Sequence, residues 1–317
     1  MLAVVTGGAG FIGSHVVERL LERGIEVAVI DDQSTGDAAN VPAGVPLFVE
    51  DVTAEGAAGV VARLKPGCLV HLAAQPSAPA SMDDPVADCR TNVLGTVRML
   101  TAAAQSGCRR FVMASSAAVY GAPVRLPVDE DHPLTPLSFY GVSKAAGESY
   151  AAAFARARGM EYVMLRFANV YGPRQGACGE GGVVAVFIRH VLEGKPPVIY
   201  GDGSQTRDFV FVGDVAEATV LAALGRGSGV MNISTGSETS VNDLWAMIWR
   251  ACGATVAPVY AGRRPGDIHR SVLDPRRANA ALDWSAKCPL EEGIGRTIDW
   301  RRSTGVSTVG GARRDST

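Results

Sequence analysis

The chain has no Cys-x-x-Cys pair and no histidine cluster at metal-ligand spacing. Its six cysteines (Cys68, Cys89, Cys108, Cys178, Cys252 and Cys288) are scattered through 317 residues. That excludes the usual zinc and redox frameworks, predicts reduced and mostly buried thiols, and leads us to expect no metal. Surplus positive charge is missing as well: 30 Lys and Arg stand against 32 Asp and Glu, a formal net charge of −2. Nucleic-acid binders carry a basic stripe, so no nucleic acid is expected as a partner. Anionic ligands must instead be met by individual arginines. No run reaches the roughly 18 uninterrupted apolar residues of a membrane span, and a strand-like run already begins at residue 2, where a signal peptide would have to stand. The expectation is a soluble, cytoplasmic protein with no membrane partner. Internal repeats are absent too.

Glycine, by contrast, is plentiful, at 37 of 317 residues, and the chain is longer than one typical domain and shorter than three. Strand-like runs at 2–5, 27–30, 47–50, 68–72, 111–115 and 162–167 alternate with helical stretches. Alternation of this kind predicts an α/β fold with a doubly wound parallel sheet, of the Rossmann type. The longest intervening helix is punctuated by Asp84 as N-cap, Pro85 at its first position and Gly107 beyond its end. Past Phe167 the pattern loosens into Gly- and Pro-rich loops at 171–182 and 201–203, with shorter helical runs near 183–192, 214–224 and 241–251. We therefore expect a cofactor domain over 1–168, a smaller mixed α/β substrate domain over 169–302 with some segments returning to the first, and a disordered tail over 303–317.

The most informative segment is Thr6-Gly7-Gly8-Ala9-Gly10-Phe11-Ile12-Gly13, between the first strand and the helical stretch 14–23. Glycines there permit an unusual backbone turn, a close approach to pyrophosphate and tight helix–strand packing. The helix N-terminus offers free N–H groups and a favourable dipole to the anion. Asp31 follows the second strand, where a Rossmann unit places the acid that binds a ribose 2′-hydroxyl. With Asp32 beside it, a 2′-phosphate would be repelled, so the dinucleotide reads as NAD rather than NADP. The alternative is an aspartate pair that caps a turn.

Tyr140 and Lys144, in Tyr140-Gly141-Val142-Ser143-Lys144, stand one turn apart on the face of a helical run that continues to about residue 158. The ammonium is expected to favour the phenolate, lowering the tyrosine from its ordinary pKa of about 10 so that it accepts a proton from an alcohol. Ser116, at the carboxyl end of the preceding strand, is placed to share the substrate's hydrogen bond. An ordinary surface Tyr and Lys is the competing reading of the pair alone.

Taken in order, the glycine turn, the Ser116 strand end and the Tyr140/Lys144 pair resemble the extended short-chain dehydrogenase/reductases that act on nucleotide sugars, specifically the UDP-glucose 4-epimerase type. The resemblance runs to about Trp300. It implies a two-domain homodimer, built on the helix of Tyr140 and its neighbour after Asp84, with tightly held NAD. Gly7, Gly10, Phe11, Ile12 and Gly13 would cradle the pyrophosphate and Asp31 and Asp32 the adenosine ribose. Asp51 and Val52 would flank the adenine, Asn92 would lie near the cofactor, and Tyr140 and Lys144 would touch its nicotinamide half. Asn169, Arg207, Arg264 and Asp267 resemble the positions that grip a nucleoside diphosphate, where the arginine fork suits phosphate oxygens.

Within that family, dehydratases carry an Asp-Glu after the serine or threonine at this strand end. Here Ala117-Ala118 stands instead, and methyl groups transfer no protons; the glutamate of uronate decarboxylases is missing too. Oxidation of C4 to a transient ketone and return of the hydride to its other face needs only NAD, Tyr140, Lys144 and Ser116. The resemblance thus implies C4 epimerisation of a UDP-hexose, UDP-Glc/UDP-Gal. Resembling enzymes that act on UDP-glucuronate tend to carry an arginine after such a stretch, so Gly176 after Gly172-Pro173-Arg174-Gln175 counts against a uronate, and small Ser271, at the position that walls the sugar pocket in resembling epimerases, implies that UDP-GlcNAc/UDP-GalNAc is also accepted. Phe167 replaces a tyrosine that many relatives have near the nicotinamide. The alternatives are a UDP-glucuronate or dTDP-sugar epimerase, a net oxidoreductase, and a non-catalytic NAD-binding protein, which would usually lose the Tyr/Lys pair.

Overall fold

The computed structural model describes residues 1–176, 182–264 and 266–304. Six short apolar runs become strands β1 (Leu2–Thr6), β2 (Glu26–Ile30), β3 (Leu47–Phe48), β4 (Cys68–His71), β5 (Arg110–Ser116) and β6 (Glu161–Phe167). With Gly229–Ile233 they form one seven-stranded sheet, ordered Gly229–Ile233, β6, β5, β4, β1, β2, β3. Every pairing in it is parallel. A parallel sheet buries both faces, so adjacent residues of one strand serve different cores. Val5, Val70, Val112 and Leu165 pack on one side with Leu20 and Val220. Their neighbours Val4, Leu69, Phe111 and Met164 pack on the other with Val60, Met99 and Ala103.

The chain leaves β1 toward β2 and β3, then crosses back to place β4 on the other side of β1. At this reversal the carboxyl ends of β1 and β4 lie side by side, Thr6 opposite His71, and the connections depart in opposite directions. Such a reversal opens a crevice, the usual ligand site of a doubly wound sheet.

A third apolar cluster joins the helices Val183–Leu192, Val241–Cys252 and Leu290–Ser303 through Phe187, Leu244, Trp245, Ile294 and Ile298. Three small two-stranded sheets accompany it: Asn169–Tyr171 with Phe209–Phe211, Thr206–Arg207 with Thr239–Ser240, and Val198–Tyr200 with Val259–Ala261.

Several details depart from the sequence reading. The helix capped by Asp84, whose carboxylate accepts from Ala87 N at 2.9 Å, is interrupted: Pro85–Asp88 is α-helical, Cys89–Leu94 is a π-helical turn, and Gly95–Gln105 resumes the α-helix. Wider turns of this kind commonly mark functional sites. A preceding helix, Ala78–Asp83, and the seventh strand of the sheet had no clear periodic signature. Ser303, read as the start of a disordered tail, instead ends the helix Leu290–Ser303; 305–317 lie outside the described residues. Cys68 and Cys108 are buried, Cys252 and Cys288 half-buried and Cys89 exposed, and all five are free thiols. Cys178 lies outside the described residues. Among the described residues no helix is long and apolar enough to cross a membrane.

Candidate active site

The glycine turn fits against the far side of the crevice as closely as backbone allows. Gly7 has φ +70°, and a Cβ on it would lie 2.7 Å from the amide nitrogen of Ala73. A Cβ on Gly13 would lie 2.0 Å from the carbonyl oxygen of Gly7. Helix Phe11–Glu22 then begins at Gly10 with no side chain capping its first turn. Its uncapped N–H groups face the groove that Gly7, Gly10, Phe11, Ile12 and Gly13 line.

Asp31, Asp32, Asp51 and Val52 line the same groove, with Thr35, Glu50, Ala74 and Thr91 among the residues added to them. Asp31 both lines the groove and has a structural part. It is only 6 % exposed, and it accepts from Ala9 N at 2.9 Å and Gln33 N at 2.8 Å. One carboxylate thus pins the glycine turn to the end of β2. Asp32 accepts from the Ser34 amide and hydroxyl at 2.9 and 2.6 Å, so the turn-capping reading holds for it alongside the groove-lining one. An uncapped helix N-terminus, a cradle that any Cβ would fill and an acid at the β2 end together fit a dinucleotide without a 2′-phosphate.

Asn92 is not in that lining. The π-helical turn swings it inward instead, where it is buried and fully used: Nδ2 donates to Asp88 Oδ1 at 2.8 Å, to Gln75 O at 3.0 Å and to Ser143 Oγ at 3.2 Å. Its Oδ1 accepts from Gln75 N at 2.9 Å. Asn92 therefore ties the segment after β4 to the helix that bears Tyr140. Thr91, beside it, faces the groove.

That helix, Phe139–Arg158, starts where Ser138 accepts from Gly141 N, and it ends at Gly159 in the left-handed region. Ser81 holds its first turn, accepting from Tyr140 N at 3.0 Å. Lys144 is buried and donates to Ala114 O at 3.0 Å, with its Nζ 5.8 Å from the centre of the Tyr140 ring. Ser116 ends β5, accepts from Ala118 N at 3.2 Å and interacts with the Tyr140 phenol. The structure thus gathers all three expected catalytic side chains. It corrects their electrostatics: burial pushes the Tyr140 phenol up, the Ser116 hydroxyl opposes this, and the Asp88 charge adds to it. Lys144 does not dominate as the spacing suggested, because its own ammonium is desolvated and pushed down to about 8.

Two buried carboxylates escaped the sequence reading. Glu148 lies one turn beyond Lys144 and accepts from Ser115 Oγ at 2.5 Å and from Arg166 at 2.9 and 2.6 Å. The i, i+4, i+8 run Tyr140, Lys144, Glu148 is a signal that could have found it. Asp88 precedes Asn92 by one turn, a weaker clue.

Among the residues expected to grip a diphosphate, Asp267 pairs with Arg207 at 2.5 Å, and Arg207 also donates to Thr206 O and Ile268 O, each at 2.7 Å. Arg264 stacks over the Tyr200 ring, 3.9 Å from its centre. Asn169 exposes its side chain at the start of the short strand paired with Phe209–Phe211, and Ser271 is half-buried. None of these five lines the dinucleotide groove. Among the described residues no three His, Cys, Asp or Glu side chains gather as a metal site.

Comparison with known proteins places this geometry. The model of the NAD dependent epimerase/dehydratase family matches residues 3–234. A UDP-glucose 4-epimerase of Mycolicibacterium smegmatis is 43% identical over 310 residues, covering 96% of this chain and 99% of that one. The structure of a Thermotoga maritima UDP-glucose 4-epimerase with UDP-glucose superposes with a TM-score of 0.93 at 40% identity, covering 96% and 99% of the two chains. That of a Thermus thermophilus UDP-glucose 4-epimerase with NAD gives 0.91 at 43%, covering 96% and 100%. A groove built for a dinucleotide, a Tyr/Lys/Ser cluster at the strand ends and likeness over the whole described fold converge on one conclusion: the chain belongs to the NAD dependent epimerase/dehydratase family.

Proposed function

We propose that the protein interconverts the C4 epimers of a UDP-hexose, UDP-glucose and UDP-galactose, through a transient 4-keto sugar. The observation that carries this reading is the composition of the strand end. Tyr140, Lys144 and Ser116 meet there, while the turn that follows is Ala117–Val119, with no acid or base to expel water. Residues 1–168 hold the cofactor, and 169–302 supply the nucleotide-sugar contacts. NAD, when bound, supplies a reversible hydride acceptor. Tyr140 takes the proton of the C4 hydroxyl and later returns one, Ser116 holds the same oxygen and opposes the upward push of burial on the phenol, and Lys144 stands beside the ring as a buried hydrogen-bond donor. Arg207, with Asp267 and the backbone carbonyls orienting its fork, faces the diphosphate, and Arg264 and Asn169 complete the grip. Small Ser271 leaves the sugar pocket open enough for a 2-acetamido group. Likeness to relatives named UDP-glucose 4-epimerase supports the reaction.

The test is to incubate the purified protein, without added NAD, with UDP-Glc, UDP-Gal, UDP-GlcNAc, UDP-GalNAc and UDP-glucuronate, and to resolve the 4-epimers. Interconversion of the hexoses is expected, with the acetamido sugars following. Turnover of the plain hexoses alone would refute the role of Ser271, and no interconversion of any sugar would refute the reaction.

A further inference from the structure

Both buried carboxylates raise the tendency of Lys144 to stay charged, but they are not equivalent. Glu148 spends its charge on Arg166, whose guanidinium donates to both of its oxygens. Asp88 has no such cation: among the described residues it makes no contact ion pair, although it is 1 % exposed. Its neighbours are all hydrogen-bond donors. Asn92 Nδ2 lies at 2.8 Å, Gln75 Nε2 at 3.3 Å, and the Ser143 hydroxyl bears on the same carboxylate. Burial pushes the Asp88 carboxyl up from its ordinary value, while the Ser143 and Asn92 hydrogen bonds and the Lys144 charge favour its ionised form. Ser143, whose single hydroxyl proton serves either Asp88 or Tyr140 O at 2.9 Å, accepts from Asn92 Nδ2 at 3.2 Å, so Asp88 is fixed with respect to the first turn of the catalytic helix.

We propose that Asp88 is a positioning residue of the active site: a buried, otherwise unneutralised anion that serves as the counter-charge of the Lys144 ammonium and sets the pH range in which the Tyr140/Lys144 pair works. The inference rests on the reading of Tyr140 as the base. Among the described residues, the other charged or titratable groups facing the pair are Glu148, already bound to Arg166, and His71, which burial and the Lys144 charge push down to about 3 and so keep neutral. Among the described residues, Asp88 is therefore the negative charge on the pair that no contact cation neutralises. Its field disfavours the phenolate of Tyr140 and favours the ammonium of Lys144. Removing that charge lets both groups lose their protons at lower pH.

The test compares wild type with Asp88→Asn and Asp88→Glu, each as purified with its bound NAD. The first readout is the pH profile of kcat and kcat/KM on UDP-glucose; the second is the ultraviolet titration of the Tyr140 phenol, isolated by subtracting Tyr140→Phe. Asp88→Asn is expected to move both limbs of the profile to lower pH by roughly one unit, and to move the phenol titration in the same direction. Asp88→Glu is expected to restore the wild-type limbs. A uniform loss of activity with unmoved limbs, or an unmoved phenol titration, would reduce Asp88 to a structural residue and overturn the proposal. The titration needs no substrate, so it decides this question even if the wild type were to epimerise no UDP-sugar.

Discussion

A buried polar side chain in this site is defined by who donates to whom. In the proposed reaction Tyr140 matters because its phenol, which the Ser116 hydroxyl touches at the end of β5, is the group that transfers the proton. Tyr140→Phe is expected to lower kcat for epimerisation by roughly 10²–10⁴-fold with NAD content unchanged; retained activity, measured by chromatography of the products, would remove the tyrosine from the mechanism. His71 illustrates the opposite case, a titratable group held neutral. It bridges Thr6 Oγ1 at 2.8 Å and Thr96 Oγ1 at 3.1 Å, and burial lowers its pKa from 6.5 to about 3. The unfolded chain takes up a proton below pH 6.5 while the folded one does not, so this contribution to stability is present above pH 6.5 and is lost as pH falls toward 3. Between pH 6.5 and pH 5 the loss amounts to about 2 kcal/mol. Chemical denaturation at the two pH values should show it, and His71→Gln should flatten the difference; an equal slope in the variant would contradict the assignment.

Elements, rather than residues, decide what the sequence reveals. The strand–glycine turn–helix unit was legible because each glycine answers a steric demand: Gly13 has no room for a Cβ beside Gly7 O. Gly13→Ala must push the helix Phe11–Glu22 off the turn, so the purified variant is expected to retain little NAD and to melt several degrees lower; normal NAD content by absorbance after denaturation would refute this packing. Helix Phe139–Arg158 was equally legible, with Tyr140 and Lys144 on one face and its end read at about residue 158. The π-helical turn Cys89–Leu94 was not, since hydrophobic period alone cannot distinguish a helix that widens for one turn from one that continues. That turn is what sends Asn92 to Gln75, Asp88 and Ser143 instead of to the groove. Arg207, Arg264 and Asp267 sit in loops and two- or three-residue strands, where no periodicity fixes direction. Their true pairing, Arg207 with Asp267 and Arg264 on Tyr200, became visible only in three dimensions.

At the scale of the whole molecule, the parallel sheet sets the reaction's geography. Its reversal between β1 and β4 opens the dinucleotide groove, and the carboxyl end of β5 delivers Ser116 to the helix carrying Tyr140. The outer surface of the same helical layer leaves Met82, Val86, Val142 and Tyr150 exposed at 54%, 75%, 50% and 45%, an apolar face of the kind that marks protein–protein contact. We propose that two copies pair through it; light scattering should report a dimer, and Val86→Glu with Val142→Glu should yield a monomer. A wild-type monomer would contradict the pairing. The central claim concerns the path of one hydrogen, and it can be followed directly. UDP-glucose carrying deuterium at C4 is incubated with the purified protein in ordinary water without added NAD, and the UDP-galactose formed is analysed by mass spectrometry. The account predicts that the product keeps its deuterium, because the hydride returns from the cofactor bound in the same groove. Deuterium lost to solvent, or no UDP-galactose at all, would contradict it.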